Sequence, residues 1–296
     1  MATETGPVLC LGSFDGVHRG HRAILDRGRE EAAQTGAALA VLTFDPLPAQ
    51  LIHPDFTYVL TPLREKTALL VELGVEAIHV LRFDRPAREM APADYVAREV
   101  LPLRPAAVCC GSDHRFGRNG AGDTALLRRL LEPRGVGLFE VPEFRLFEAP
   151  VRSTRVRERL LLGHVRRAAE LLGREYRLAG RVVPGFGTGR KLGFPTLNIQ
   201  VEEPEKLVPA DGVYAARAEL DGLRPAVLNI GHRPTFQGEK RSIEVHLLDR
   251  ELAEPPARVA VRFVERLRPE RRFGSAGELA RHIAADVERA RAILAA

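Results

Sequence analysis

The sequence predicts an α/β domain with an open parallel sheet, followed by a small antiparallel β-barrel with a terminal helix. Three observations support this prediction. The chain has 296 residues, more than a typical single domain. Its first half alternates short apolar strands with helical periods, as parallel α/β sheets do. After Arg177 the pattern changes to short strands separated by turn residues, which is typical of a barrel.

In the first half, each apolar strand pattern is followed by a helical one. The predicted strands cover 8–11, 37–44, 77–81, 106–110 and 136–141. The predicted helices cover 22–34, 63–73, 93–100 and 125–131. Strands and helices in this order form a sheet with helices on both faces, and ligands bind beyond the carboxyl ends of the strands. The candidate ligand loops are therefore the turns after the strands, at 12–21, 44–46 and 111–117.

The second half begins with two helical stretches within 156–172, with Gly163 between them, which we interpret as a hinge-like connection. Turn residues then separate the predicted strands at 178–183, 196–199, 212–220, 224–230, 242–248 and 258–267. In the last segment, 275–294, apolar residues recur at helical spacing, at Leu279, Ile283, Val287, Ala290 and Leu294. This spacing predicts a terminal helix that packs against the barrel.

The composition is that of a folded protein without a membrane anchor. Hydrophobic residues make up 45% of the chain and charged residues 28%, and no apolar run approaches ~20 residues. The cysteines show neither a disulfide framework nor metal-ligand spacing, so we expect a cytoplasmic protein. The net charge of +5 comes from interspersed rather than clustered charges. Small phosphorylated ligands explain this sign as well as nucleic acid does, and we expect no nucleic-acid partner and no membrane partner.

The segment Gly-Ser-Phe-Asp-Gly-Val-His-Arg-Gly-His at 12–21 connects an apolar strand to a helix. Its two histidines, His18 and His21, are separated by Gly20, whose missing Cβ lets both rings approach one point. Two imidazole donors at a helix N-terminus suit a phosphate that gains negative charge during attack. A polar turn with two surface histidines is the alternative.

The whole decapeptide resembles the signature of the H-x-G-H nucleotidyltransferases, which join a nucleotide to a phosphorylated or carboxylated acceptor and release diphosphate. It is most similar to the form found in the bacterial bifunctional riboflavin kinase/FAD synthetases. The resemblance implies a Rossmann-like nucleotidyltransferase sheet in the first half and a riboflavin kinase-like barrel in the second. It also implies catalytic roles for His18 and His21, and nucleotide binding by Gly12, Phe14 and Asp15.

A second match to this family lies in 111–117, Gly-Ser-Asp-His-Arg-Phe-Gly. It is similar to the family's G-x-[DN]-F-x-F-G, which implies that Asp113 and Arg115 face the nucleotide. His114 stands where the family has an aromatic residue. The alternative is a surface turn, which these residue types also favour. A second departure is Leu47, which replaces the histidine of the family's T-F-D-P-H-P segment.

The segment 151–157 opens a helix, and Ser153 or Thr154 as an N-cap explains it structurally. Hydroxyls, helix N–H groups and Arg157 together also form an anion site. The segment is similar to the family's S-S-T-x-[IV]-R, which implies that Ser153, Thr154 and Arg157 bind the nucleotide's phosphates. Arg152 stands where the family often has serine.

The Gly-rich segment 185–198 ends in Pro-Thr-Leu-Asn. Thr196 and Asn198 are two apart on a predicted strand and share a face, so their oxygens suit Mg²⁺ that carries ATP phosphates. A barrel corner would also need glycine. The segment resembles the G-F-P-T-x-N motif of riboflavin kinases, which implies that Thr196 and Asn198 hold Mg²⁺. The nucleotide-binding residues expected here are Gly187, Lys191 and Gly193.

The segment 241–247 alternates polar and apolar residues, so that Ser242, Glu244 and His246 share one face of a strand. A solvated strand face is the alternative. The segment matches the kinases' [VI]-E-[VT]-H, which implies that Glu244 takes the proton of the flavin's ribityl hydroxyl as it attacks the γ-phosphate. Further kinase-like segments imply that the flavin is bound by Asn229, Arg268 and Phe273.

The resemblance therefore predicts an FMN adenylyltransferase domain at 1–172 and a riboflavin kinase domain at 173–296. The kinase would convert ATP and riboflavin to FMN and ADP, and the adenylyltransferase would convert ATP and FMN to FAD and diphosphate. The expected partners are ATP, riboflavin and FMN, with Mg²⁺ accompanying ATP. Two alternatives stay open: a riboflavin kinase with an inactive adenylyltransferase domain, and a flavin-binding regulatory protein on the same folds.

Overall fold

The computed structural model describes residues 6–53, 56, 58–185, 188–235, 238–248, 250 and 252–295, and only the backbone of 188, 191, 233–235 and 238–240. The chain forms two compact units, Met1–Ser153 and Thr154–Ala296. The predicted boundary between functional domains at 172/173 stays a prediction. Among the described residues, no helix has the length and apolar character needed to cross a membrane.

A five-stranded parallel sheet forms the first unit. Its strands are β1 (Val8–Leu11), β2 (Leu39–Asp45), β3 (Ala77–Arg82), β4 (Ala107–Gly111) and β5 (Gly137–Val141). They are ordered β3-β2-β1-β4-β5, and every neighbouring pair is parallel. This confirms the predicted open sheet. The strand order reverses between β1 and β4, which opens a crevice beyond their carboxyl ends.

Helices connect these strands. They are α1 (Arg19–Thr35), α2 (Pro48–Ile52), α3 (Leu63–Glu72), α4 (Arg85–Glu89), α5 (Pro92–Tyr95) and α6 (Thr124–Leu131), and a small hairpin follows, β6 (Arg145–Leu146) and β7 (Ala149–Pro150). The helix predicted at 93–100 is α5 followed by a π-helical turn, Val96–Val100. Helix α1 begins at Arg19 rather than 22 because His18 caps it: the His18 Nδ1 accepts the His21 backbone N–H at 3.3 Å.

Both faces of the sheet are covered by apolar side chains, as predicted. Val8 and Cys10 of β1 belong to the core cluster that includes Leu25 of α1. Leu9, on the opposite face, belongs to a second cluster with Leu127 of α6. Alternate side chains of β1 thus pack into two different cores, one on each face of the sheet. This explains why the strand is apolar at every position.

The second unit contains two helices and a closed barrel. The helices are α7 (Ser153–Leu161) and α8 (Val165–Leu172), and the strands are β8 (Tyr176–Val183), β9 (Leu197–Val201), β10 (Gly212–Glu219), β11 (Leu223–Thr235), β12 (Gly238–Leu247) and β13 (Arg258–Arg268). The strands close in the order β10-β11-β12-β9-β8-β13, and every paired register is antiparallel. A short helix, α9 (Thr188–Lys191), precedes β9, and α10 (Ala276–Ala295) ends the chain.

Helix α10 packs on the barrel, as its predicted apolar spacing indicated. Val287 and Ala290 of α10 share a buried cluster with Val213 of β10. Because a helix can only pack on the outside of a small closed barrel, Val213 marks the outer face. The next residue, Tyr214, points to the other face and meets Phe263 edge-on, with ring centroids 5.2 Å apart.

Candidate active sites

A cavity of about 340 Å³ lies at the carboxyl edge of the parallel sheet. Its walls come from the segments that follow β1, β2, β4 and β5, so it occupies the crevice where the strand order reverses. The sequence-predicted residues that line it are Gly12, His18, His21, Asp113, Arg115 and Ser153.

The two histidines lie against each other in this cavity. Their rings are stacked, with centroids 3.7 Å apart and an interplanar angle of 14°. Because the His18 Nδ1 accepts the His21 backbone N–H, the proton of the neutral His18 ring is on Nε2, which leaves that nitrogen as a donor. A Cβ at Gly20 would lie 3.1 Å from the Val151 carbonyl and 3.2 Å from the His18 ring. The glycine is therefore needed for this close packing.

Phe14 and Asp15 belong to the loop after β1, but their side chains are buried and do not line the cavity. Phe14 is fully buried at a positive φ of 51°, and its ring is 5.1 Å from that of His21. The Asp15 carboxylate accepts the backbone N–H groups of Leu60 and Thr61, each at 3.0 Å. These contacts hold the loop on its buried side. Direct nucleotide binding by Phe14 and Asp15 stays a prediction.

Lys66 of α3 belongs to this site, although the sequence analysis did not find it. Its side chain is buried, and its Nζ donates to the Ser13 carbonyl (3.2 Å), the Thr43 hydroxyl (3.1 Å) and the Phe44 carbonyl (2.9 Å). Burial lowers the pKa of Lys66 to about 8, opposed by the nearby carboxylate of Asp15. Lys66 thereby joins the loop after β1 to the end of β2, both of which line the cavity.

At the loop after β4, His114 takes the place of an aromatic residue. Burial lowers its pKa to about 4, so the ring is neutral at physiological pH. It stacks on Phe116, with centroids 5.7 Å apart. Asp113 and Arg115 flank it at the cavity wall. The ring thus fills its site as a neutral, flat group.

The remaining predicted residues of this half lie in different places. Ser153, the last residue of the first unit, donates its hydroxyl to the Asp15 carbonyl of the loop at 2.9 Å. Thr154 and Arg157 follow in α7, within the second unit, and their approach to the nucleotide stays a prediction. Leu47 is buried at the start of α2, outside the cavity lining.

The barrel carries a second cavity, of about 470 Å³, between its outer face and α10. Predicted residues from four separate parts of the sequence line it: Thr196, Asn229, Glu244, Arg268 and Phe273. Leu279 and Ile283 of α10 supply an apolar wall. An apolar wall beside convergent polar groups is typical of a site for a small molecule or cofactor.

Strand register aligns polar residues of this cavity in one row, which extends to Asn198 outside the cavity lining. Glu244 of β12 is opposite Asn198 of β9 on one side and Asn229 of β11 on the other. The row continues through Val213 of β10 to Arg268 of β13. Directly opposite residues of antiparallel strands project from the same face. The candidate metal ligand, base and flavin-binding residues therefore share one cross-strand row.

The predicted metal pair lies at one end of this row. The Thr196 hydroxyl donates to a Glu244 carboxylate oxygen at 3.2 Å. The Asn198 side chain lies against Gly185, where a Cβ would be 2.1 Å from its amide nitrogen. A hydroxyl, an amide and a carboxylate on one face form the hard donor set that suits Mg²⁺. The residues present therefore fit the predicted cation.

The Gly-rich segment before β9 is described only in part. Gly187 and the Lys191 side chain lie outside the described residues. Gly193 has a φ of +86°, and the preceding turn is closed by the Phe194 N–H, which donates to the Gly189 carbonyl at 2.8 Å. A glycine at position 193 is thus required by the backbone, and its contact with nucleotide stays a prediction.

At the other end of the row, Arg268 is held by α10. Its guanidinium donates to the Asp286 carboxylate, with nitrogen–oxygen distances of 2.8 to 3.2 Å. It also lies 5.4 Å from the centre of the Phe273 ring, over which Arg271 lies at 4.7 Å. Asp286 was missed by the sequence analysis. Its position three residues after Ile283 and four before Ala290, on the apolar face of α10, is the feature that could have indicated its burial.

Comparisons with known proteins agree with this division into two sites. The FAD synthetase family model matches residues 1–155, and the riboflavin kinase family model matches residues 172–294. The bifunctional riboflavin kinase/FMN adenylyltransferase of Escherichia coli K12 is 36% identical over 292 residues, which covers 97% of this chain and 92% of that protein. The protein of the same name from Pseudomonas fluorescens is 37% identical and covers 98% and 94%, respectively.

A solved structure also matches both units. It is described as a macrolide-efflux protein from Streptococcus pneumoniae, superimposes with a TM-score of 0.90, and is 27% identical over 98% of this chain and 95% of that one. The assignment of this chain to a family rests on the sequence identities over nearly the whole chain and on the two family models. The chain belongs to the bifunctional riboflavin kinase/FMN adenylyltransferase family.

Proposed function

We propose that the two units catalyse successive steps of flavin cofactor synthesis. The C-terminal unit transfers the γ-phosphoryl group of ATP to riboflavin, which yields FMN and ADP. The N-terminal unit transfers AMP from a second ATP to FMN, which yields FAD and diphosphate. The cross-strand row that joins Asn198, Glu244, Asn229 and Arg268 is the observation that supports this proposal most strongly.

In the kinase site, Glu244 is the proton acceptor. The ribityl hydroxyl oxygen forms a bond to the γ-phosphorus, the bond from that phosphorus to the bridging oxygen of ADP breaks, and the hydroxyl proton passes to the Glu244 carboxylate. Phosphoryl transfer depends chiefly on alignment and charge neutralisation, so a fixed carboxylate beside the attacking hydroxyl suits it. Asn229, Arg268 and Phe273 bind the flavin, and the nucleotide is bound by Gly187, Lys191 and Gly193.

Thr196 and Asn198 would hold Mg²⁺ through their side-chain oxygens. The cation, when bound, neutralises charge on the ATP phosphates. The Thr196–Glu244 hydrogen bond of 3.2 Å keeps the threonine oxygen beside the carboxylate that we propose as the base.

In the adenylyltransferase site, an FMN phosphate oxygen attacks the α-phosphorus of ATP and diphosphate leaves. FMN is already a competent nucleophile, so the protein's task is to stabilise charge on the α-phosphate. His18, through Nε2–H, His21 and the N-terminus of α1 supply donors there. Ser153, Thr154 and Arg157 bind the departing diphosphate, and the rest of the nucleotide is bound by Gly12, Phe14, Asp15, Asp113 and Arg115.

Two assays on the full chain test this proposal. Riboflavin with ATP and Mg²⁺ should yield FMN, and added FMN with ATP should yield FAD, with products separated by chromatography. FMN formation without FAD formation would favour a kinase with an inactive adenylyltransferase domain. Flavin binding without either product would favour a regulatory protein. The cytoplasmic location and the absence of a nucleic-acid partner stay predictions.

A further inference from the structure

We propose that His246 is a positioning residue of the kinase site, which acts through its Nδ1 on the Pro195 carbonyl and thereby holds Thr196 beside Glu244. The inference rests on the roles proposed above for Thr196 and Glu244. His246 shares the strand face of Glu244 and lines the same cavity.

The need for such a contact follows from the strand ladder. Strand β9 begins at Leu197, which pairs with Val245, and Asn198 pairs with Glu244. Pro195, two residues before β9, has no N–H and cannot donate to the ladder. The segment that carries Thr196 therefore runs beside β12 without the backbone pairing that would fix its position.

The His246 imidazole supplies the missing contact. Its Nδ1 is 2.8 Å from the Pro195 carbonyl oxygen. A carbonyl oxygen only accepts, so the Nδ1 of His246 must carry a proton in either charge state of the ring. The Phe194 ring meets the imidazole edge-on, with centroids 5.6 Å apart, which keeps the ring in place.

Two side chains of one strand thus hold two consecutive residues of the preceding segment. His246 binds the backbone at Pro195, and Glu244 accepts the Thr196 hydroxyl at 3.2 Å. Loss of the backbone contact would let Thr196 move relative to Glu244. When a group that orients the reactants moves by about 1 Å, the reaction rate can fall by roughly 10²-fold.

A pair of isosteric substitutions separates this role from direct contact with substrate. In His246→Asn the amide nitrogen takes the place of Nδ1, whereas in His246→Gln the amide takes the place of Nε2. We expect His246→Asn to retain near-wild-type FMN formation. His246→Gln should lower kcat by roughly 10- to 100-fold and raise the Mg²⁺ concentration for half-maximal rate, with little change in the KM for riboflavin.

Riboflavin binding, followed by flavin fluorescence, verifies that the barrel of each variant is folded. FAD formation from added FMN serves as a control for the first unit. Full activity of His246→Gln with loss in His246→Asn would show that Nε2 acts on the substrate, and wild-type behaviour of both variants would exclude any role. Either result overturns the proposal.

The ring tautomer gives a readout independent of catalysis. In the wild-type chain, ¹⁵N NMR of the neutral His246 ring should show the proton on Nδ1. A neutral ring protonated on Nε2 alone would overturn the proposed contact. Failure of the wild-type chain to make FMN would instead overturn the proposed function, and the tautomer would still test the contact.

Discussion

The two sites are assembled in different ways. In the N-terminal unit, His18 and His21 come from one short segment, and parallel strands bring the other loops to the same edge. In the C-terminal unit, Asn198, Glu244 and Arg268 are far apart in sequence, and only strand register aligns them. The first arrangement depends on strand order and on one local motif, while the second also depends on the register of the four pairings that join β9, β12, β11, β10 and β13.

Both cavities are lined by charges of both signs, but the groups assigned to the chemistry differ. In the first cavity these are the imidazoles of His18 and His21 and the Arg115 guanidinium, beside the carboxylates of Asp113 and Glu143. Such donors suit a phosphate that gains negative charge. The second cavity has the Glu244 carboxylate at its floor. A carboxylate there suits proton acceptance and cation binding. Substitutions in each site should therefore affect one reaction and spare the other.

The largest effect is expected for Glu244→Gln. The amide keeps the shape of the side chain but cannot accept the hydroxyl proton, so kcat for FMN formation should fall by roughly 10²- to 10⁴-fold. The KM for riboflavin should change little, and FAD formation from added FMN should be unaffected. Glu288→Gln on α10, which alters an exposed carboxylate, is the matched control. Wild-type turnover in Glu244→Gln would exclude Glu244 as the base.

His21→Ala should have the next largest effect, on the other reaction. Loss of one preorganised donor to a developing oxyanion typically lowers the rate by roughly 10²- to 10³-fold. FAD formation should fall by that factor while FMN formation continues. The exposed His53 of the same unit provides the control His53→Ala. Loss of both activities in a folded His21→Ala variant would contradict the division of labour between the units.

Much of the first site could be predicted because its residues lie within one contiguous segment. The strand–turn–helix order places His18 and His21 at the sheet edge, and the parallel-sheet rule brings Asp113 to the same edge. Direct nucleotide binding by Asp15 stays a prediction, but the motif gave no indication that the Asp15 carboxylate accepts the backbone N–H groups of Leu60 and Thr61. That contact joins distant parts of the chain, which a local motif does not reveal.

Buried charges were the residues that sequence reasoning missed. Lysine and aspartate side chains on a helix are usually exposed to solvent, so the sequence provides no reason to expect that Lys66 and Asp286 are buried. Each lies on the apolar face of its helix, Lys66 three residues after Leu63 and Asp286 three residues after Ile283. A charged side chain at such a position is buried only if hydrogen-bond acceptors or a counterion surround it in the folded chain. The presence of these partners depends on tertiary contacts. The cross-strand row likewise depends on register, which local alternation leaves open.

The substitution Lys66→Met tests whether the pKa of the Lys66 side chain is lowered in the folded chain. With a pKa of about 8 in the folded chain against an ordinary 10.5, the unfolded chain binds more protons between these pH values. The free energy of unfolding of the wild type, relative to Lys66→Met, should therefore rise with pH across this window, by about 3 kcal/mol in total.

Urea unfolding at matched pH values measures this difference. The chain has no tryptophan, so Tyr58→Trp at an exposed position gives a fluorescence signal confined to the first unit. Arg64→Met removes an exposed cation from the same helix and should leave the pH dependence unchanged. A stability difference that stays constant from pH 8 to 10.5 would mean that Lys66 titrates at its ordinary pKa.

The smallest effect, on flavin affinity, is expected for Asp286→Asn. Asp286 fixes the Arg268 guanidinium through a shielded ion pair of 2.8 Å, and hydrogen bonds to charged groups contribute about 1.5–3 kcal/mol. The amide keeps one acceptor, so the KM for riboflavin should rise by roughly 10-fold, the lower end of that range, with kcat nearly unchanged. Because Asp286 acts through Arg268, adding Asp286→Asn to Arg268→Lys should weaken binding less than it does in the wild type. Full additivity of the two substitutions would show that the helix and the flavin-binding arginine act separately, and that α10 only covers the cavity.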